Sequence, residues 1–151
     1  MIPVLCINDS PINLFVQKKL LLQSGITDNV ITASDGQEAL DYYSRCKEAN
    51  AFEYPRLILL DIHMPGVDGW EFLDKFSELY LPSFNDTRVI INSFTVDENE
   101  IKKANDYPMI IDFVTTQLTT EYFRRLELPG LPDIVSEGNP EDIFHQSQEK
   151  N

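Results

Sequence analysis

Short, mostly apolar runs recur along this chain, and each is followed by a stretch whose apolar residues fall three or four apart. The runs are Val4-Leu5-Cys6-Ile7, Val30-Ile31-Thr32-Ala33, Leu57-Ile58-Leu59-Leu60, Val89-Ile90-Ile91 and Ile110-Ile111-Asp112-Phe113-Val114. A strand that is apolar throughout has to be covered on both faces. A parallel sheet between two layers of helices provides that cover, whereas an antiparallel sheet open to water on one side asks for alternation. Five such units predict a three-layer, doubly wound α/β domain. Right-handed crossovers leave few ways to connect it. The second run is the most polar, which places it near an edge.

The intervening stretches carry helix signals. Pro11 suits a first turn, Ile12, Val16 and Leu20 recur at four-residue spacing with Phe15 beside them, and Gly25 marks a stop. These four apolar residues fall on one face of the first helix. Asp35 with Glu38, Asp68 with Glu71, and Asp97 with Glu100 have capping-box spacing. They open helices containing Ala39, Leu40 and Tyr43, then Leu73, Phe76 and Tyr80, then Ile101 and Ala104. Thr119 or Thr120 opens a last helix through Phe123 and Leu126. Tyr42, Trp70 and Phe72 are read as packing or surface residues. The stretch 81–87 looks like a loop longer than the unit requires. The domain is expected to span residues 1–128. Residues 129–151, with Pro129, Gly130, Pro132, Gly138, Pro140 and five acids, form an acidic tail in which a short helix around Asp142 to Gln148 is conceivable.

Composition removes several classes of function. Acids outnumber bases 25 to 12, for a formal charge of −13, which argues against a nucleic-acid partner, since phosphate backbones call for clustered Lys and Arg. Lys18-Lys19 and Lys102-Lys103 are pairs rather than a patch. No apolar run approaches the roughly 20 residues of a membrane span, and the first residues lack a basic start and a cleavage site. A cytoplasmic chain with no membrane partner is expected. Cys6 lies in an apolar run and Cys46 near a helix end, in neither a metal nor a redox spacing, so both read as packed or surface thiols.

In an open α/β sheet, sites form beyond the carboxyl ends of the strands, where the strand order reverses. Asn8 and Asp9 follow the first strand, Asp61 the third, Asn92 and Ser93 the fourth, and Thr115 and Thr116 the fifth. If strands one and three are neighbours, Asp9 and Asp61 converge. Close carboxylates repel and raise a pKa unless a cation sits between them. Hard oxygen ligands with few protein contacts suit Mg²⁺. An ionised Asp is also a nucleophile towards phosphorus. A cation would neutralise charge on the phosphoryl oxygens, and the Ser93 hydroxyl would hydrogen-bond one of them. A lone Asp after a strand is more often a turn former or a cap, and Asp9 before Pro11 fits that role too. Asp61 is followed by Ile62-His63-Met64-Pro65-Gly66-Val67-Asp68-Gly69, a turn that presents backbone carbonyls.

Leu57 to Phe72, with an apolar strand, Asp61, Met64-Pro65-Gly66 and Asp68-Gly69 at these offsets, resembles the phosphoacceptor segment of response-regulator receiver domains. Ala33 to Leu40 resembles the start of that family's second helix. The resemblance covers roughly Pro3 to Leu128. It implies a flavodoxin-like strand order of 2-1-3-4-5 and a non-enzymatic signalling role. Asp61 would be the phosphoryl acceptor. Mg²⁺ would be held by Asp9, Asp61 and the backbone carbonyl of His63, with Asn8 contributing weakly through water. Ser93 would be the switch hydroxyl and Phe113 the aromatic whose rotamer follows the state. The His63 side chain is expected to point outward at the mouth of the site, and His145 has no partner pattern. The implied partners are a histidine kinase or phosphotransfer protein and an unknown downstream protein, the latter met by the face of helix four, strand five and helix five. The chain would be a stand-alone monomer or weak homodimer, since the tail is too short and polar for a DNA-binding unit.

Three positions depart from the family. Asn8 stands where a second acid is usual, which weakens cation binding. Thr116-Gln117 replaces the usual Lys-Pro, so the cation that pairs with the acceptor is absent. Phe94 follows Ser93 where a small residue is usual, and its ring would crowd phosphoryl access. These departures keep a second reading open, a degenerate receiver that acts as a phosphorylation-independent binding module. A third, a small α/β enzyme or flavin carrier, would need a phosphate-cradling loop after strand one, where Asn8-Asp9-Ser10-Pro11 offers an acid instead.

Overall fold

The computed structural model describes residues 2–95 and 97–128. The elements are β1 (Val4–Ile7), α1 (Pro11–Ser24), β2 (Val30–Ala33), α2 (Gly36–Glu48), β3 (Leu57–Leu60), α3 (Gly69–Leu79), β4 (Arg88–Asn92), α4 (Glu98–Lys103), β5 (Ile110–Val114) and α5 (Thr120–Arg124), with a 3₁₀ turn at Ala104–Asp106 after α4. The strands form one parallel sheet in the order β2-β1-β3-β4-β5. This is the doubly wound arrangement expected, with the polar second strand at an edge. The tail, its conceivable helix and His145 lie outside the described residues.

Successive residues of a strand point to opposite faces, and here both faces are core. Val4, Cys6, Leu57, Leu59, Ile90 and Val114 pack with Leu21, Tyr122 and Phe123 on the side of α1 and α5. Leu5, Ile7, Ile58, Leu60, Val89 and Ile91 pack with Ala39, Tyr43, Phe72 and Phe76 on the side of α2 and α3. Both cysteines are free and buried, and burial pushes the Cys6 thiol up to about 12, which keeps it an inert core group.

The helix starts follow the capping chemistry. Asp35 and Asp68 accept the backbone N–H groups of Glu38 and Glu71 at 2.8 and 2.9 Å. Glu38 reaches back to Ser34, accepting from its N–H and its hydroxyl. Thr119 caps α5 through Tyr122 N–H. Asp97 caps α4 through Asn99 N–H, which leaves the Glu100 side chain for another partner.

In the first helix the apolar row at four-residue spacing faces largely away from the sheet. Ile12 is 75 % exposed and Phe15 69 %, Val16 is exposed as well, and Leu20 is only half-buried. Gln17 and Leu21 face the sheet instead. The helix has two apolar rows, and Gln17 interrupts the inward one, so four-residue spacing alone does not select the buried row. A second feature invisible to periodicity is a bulge in β5. Val89 pairs with Ile110 but Ile90 with Asp112, leaving Ile111 as the extra residue.

The stretch 81–87 is a folded connection rather than a slack loop. Phe84 is buried against Tyr43 and Tyr54. The Tyr43 and Thr87 hydroxyls both donate to the carbonyl of Pro55, at 2.9 Å each. Tyr43→Phe or Thr87→Val alone leaves that carbonyl one donor, so each should cost about 1 kcal/mol. The double variant orphans a buried acceptor and should cost more than the sum, a coupling that denaturant melts of the four proteins will show.

Candidate functional site

Three backbone bonds extend the sheet one residue past its strands, where the chemistry-bearing residues stand. Asn8 N–H donates to Ala33 O at 3.1 Å, Asp61 N–H to Ile7 O at 3.0 Å, and Ser93 N–H to Val114 O at 3.1 Å. These residues therefore share the rigidity of the sheet. Ile7 pairs with Leu60, which sets Asp61 level with Asn8 and next to Asp9.

Asp61 is half-buried. Its Oδ1 accepts the backbone N–H of His63 at 3.3 Å. Burial raises its carboxyl above the ordinary range, and the charge of Asp9 raises it further, against the lowering effect of the His63 N–H bond. Asp9 itself is exposed. Asn8 is buried, and its Oδ1 accepts from Ser10 N–H at 2.9 Å, while Ser10 caps α1 through Asn13 N–H. Asn8 thus serves the turn that carries Asp9.

A raised carboxyl has a sign that can be tested. The ionised form fits the folded state worse than the unfolded one, so stability is greatest below the ordinary Asp value and falls as pH rises through the higher folded value. Asp61→Asn removes the charge and keeps the acceptor oxygen. In cation-free buffer it should melt above the parent at neutral pH, and the gap should close below about pH 4. Thermal melts across pH measure this; a gap that is independent of pH means the charge is not what destabilises.

The loop after Asp61 is tightly seated. Gly36 N–H donates to Val67 O, and Gly69 N–H to Ile62 O at 2.9 Å. Gly66 sits at φ +73°, where a side chain is strained. The His63 ring is exposed, as expected, and its Nε2 lies 3.2 Å from Glu100 Oε2 on α4. The contact ties the loop to α4, and the sequence reading, which gave Glu100 only a capping role, missed it.

Ser93 is buried at the end of β4. The neighbouring Phe94 is 65 % exposed. Asn92 is a second residue whose role the sequence did not disclose. Its Nδ2 donates to Val114 O at 2.9 Å and Thr116 O at 3.0 Å, pinning the exit of β5. A strand-ending amide with two donors was the available signal. Thr116 is exposed, and among the described residues no Lys or Arg pairs with Asp9 or Asp61. Phe113 is half-buried and lines a groove of about 480 Å³ together with Ile101, Ala104, Tyr107, Ile111 and Thr115.

No cluster of three or more acid, His or Cys side chains suited to a metal occurs among the described residues. The groups that could hold a cation are the Asp9 and Asp61 carboxylates and, by the resemblance, the His63 carbonyl. All are hard oxygens, and three protein ligands suit Mg²⁺, which keeps several of its waters. The raised Asp61 carboxyl, pushed partly by Asp9, is what a cation between them would relieve.

Comparison with known proteins agrees with this geometry. The model of the response regulator receiver domain matches residues 4–125. A receiver protein of Dyadobacter fermentans is 32 % identical, with 83 % of this chain and 97 % of that one covered and a TM-score of 0.68. The phosphorylated cyanobacterial phytochrome response regulator RcpA is 25 % identical over 79 % of this chain and 83 % of its own, with a TM-score of 0.64. The probable methanogenesis regulatory protein FilR2 of Methanothrix harundinacea is 32 % identical over 48 % of this chain and 46 % of its own. The chain spans less than half the length of the curated relatives it matches.

Proposed function

The chain belongs to the response regulator receiver family, and from that premise we propose that Asp61 accepts a phosphoryl group from the phosphohistidine of a histidine kinase or phosphotransfer protein. An Asp61 oxygen forms the new bond to phosphorus, the bond from phosphorus to the donor nitrogen breaks, and the imidazole leaves with a proton. Mg²⁺ held by Asp9, Asp61 and the His63 carbonyl would supply charge neutralisation at the transferred oxygens. Ser93 offers a hydroxyl to one of those oxygens. Asn92 fixes the exit of β5, and with it the position of Phe113 beneath the α4–β5 groove. Output then passes by protein contact at the face of α4, β5 and α5. Among the described residues no helix is long and apolar enough to cross a membrane.

The observation that carries this reading is the half-buried Asp61, raised by burial and by Asp9, at the carboxyl end of the central strand β3. The similarity to the phosphorylated phytochrome response regulator RcpA supports it. The second reading, a receiver that no longer cycles phosphate, is favoured by one observation, the missing cation at Thr116. Backbone NMR with Mg²⁺ and then beryllofluoride separates the two. The first reading expects shifts at Asp9 and Asp61 with Mg²⁺, then at Ser93 and Phe113, all abolished by Asp61→Asn. Silence at millimolar Mg²⁺ and beryllofluoride would establish the second.

A further inference from the structure

The outward face of α1 is unlike the rest of the protein. Ile12, Phe15, Val16, Lys19 and Leu22 fall on one side of the helix, at spacings that bring them into a single stripe, and all are exposed. Leu21 and Gln17, on the opposite side, are buried against the sheet. A helix apolar on a second face leaves that face to be covered by something else. Its charge is also exceptional. In a chain of net charge −13, no acid occurs between Asp9 and Asp28, while Lys18 and Lys19 lie on or beside the stripe. The surface is apolar with a positive margin, and its complement is an apolar segment with acids.

The chain carries such a segment. Residues 129–151 hold Asp133, Glu137, Glu141, Asp142 and Glu149 against a single Lys150, and place two apolar pairs, Ile134-Val135 and Ile143-Phe144, directly after acids. They continue from the right place. Leu128 is buried in the same layer as Leu21 and Phe123, and the Arg124 guanidinium donates to Gln23 O at 3.4 Å, so the end of α5 lies against the end of α1. The α1 helix is about 21 Å long, whereas residues 129–151 reach about 75 Å when extended. Being on the same chain, they are present at an effective concentration of the order of millimolar.

We propose that the outward face of α1 is a docking surface whose occupant in the free protein is the chain's own acidic segment 129–151. The apolar pair Ile143-Phe144 offers a chemical complement to the stripe, and Glu141 and Asp142 a complement to the charges of Lys18 and Lys19. The docking does not depend on the phosphoryl reading.

Zero-length carbodiimide coupling of the intact protein at low micromolar concentration, without Mg²⁺ or phosphoryl donor, tests it. Peptide mapping of the monomer band should join Lys18 or Lys19 to an acid of residues 129–151. The variant Ile143→Ser/Phe144→Ser, which leaves every described residue in place, should lower the yield of those links at least fivefold with an unchanged melting temperature. Links found only in a dimer band would assign the face to a second copy and overturn the proposal. Links from these acids only to Lys102 or Lys103, an absence of links, or a yield indifferent to the variant would overturn it as well. A protein that fails to take phosphate but shows the links refutes the phosphoryl reading and leaves the docking intact.

Discussion

Thr116→Lys should raise the rate at which acetyl phosphate modifies Asp61 by about one to two orders of magnitude. Thr116 stands at the exit of β5, where the resemblance to receivers places a lysine, and its carbonyl is already held by Asn92. The backbone that would carry the new side chain is therefore fixed, and Thr116 itself is exposed, so a longer chain meets no packed neighbour. The transferred group develops negative charge beside Asp61 and Asp9, two carboxylates with no ion-pair partner among the described residues. A preorganised charge at such a position is worth about 2–4 kcal/mol in the transition state, and each 1.4 kcal/mol is tenfold. The same lysine pairs with Asp61 in the resting state and returns part of this gain, hence the lower bound. Acid-quenched time courses of acyl phosphate in the parent and the variant measure the ratio. A ratio near one would mean that the site obtains its positive charge elsewhere.

Gly69→Ala should destabilise the fold by about 2 kcal/mol, lowering the melting temperature by roughly 5–10 °C, and should weaken Mg²⁺ binding at the same time. A Cβ built on Gly69 would lie 2.7 Å from the Cα of Ile62 and 2.9 Å from the carbonyl oxygen of Asp61. Both are backbone atoms, so no side-chain rotation relieves the clash. The neighbouring Gly69 N–H bond to Ile62 O pulls the same two segments together. The first turn of α3 must back away from the loop 62–68, and that loop carries the His63 carbonyl and the N–H that meets Asp61. Calorimetry gives the first effect and Mg²⁺ titration the second. Loss of stability with an unchanged cation affinity would show that the loop does not set the ligand geometry.

What could be read from the sequence follows from what local pattern encodes. The inner strands β1, β3 and β4 were legible because a strand buried on both faces is apolar at nearly every position, and the partly buried β2 and β5 because their runs keep most of that character. The helix starts were legible because Asp35, Asp68 and Thr119 satisfy backbone N–H groups only three residues away. The orientation of α1 was not, because two apolar rows compete and the buried one contains Gln17. The bulge at Ile111 was hidden because an extra residue in a strand changes no composition. Asn92 and Glu100 act on partners 22 to 37 residues distant, which no spacing rule reaches. The meeting of Asp9 and Asp61 hung on the adjacency of β1 and β3, which the resemblance implied and the sheet order shows.

The account rests on Asp61 being the atom-level recipient of phosphate. Incubation of the intact protein with Mg²⁺ and phosphoramidate, followed by borohydride trapping of the acyl phosphate and peptide mapping, addresses this directly. The account predicts a single trapped site at Asp61, absent when Mg²⁺ is removed or when the residue is Asn. Modification of His63 or Asp9 instead, or a protein left unmodified while the Thr116→Lys variant reacts readily, would contradict it.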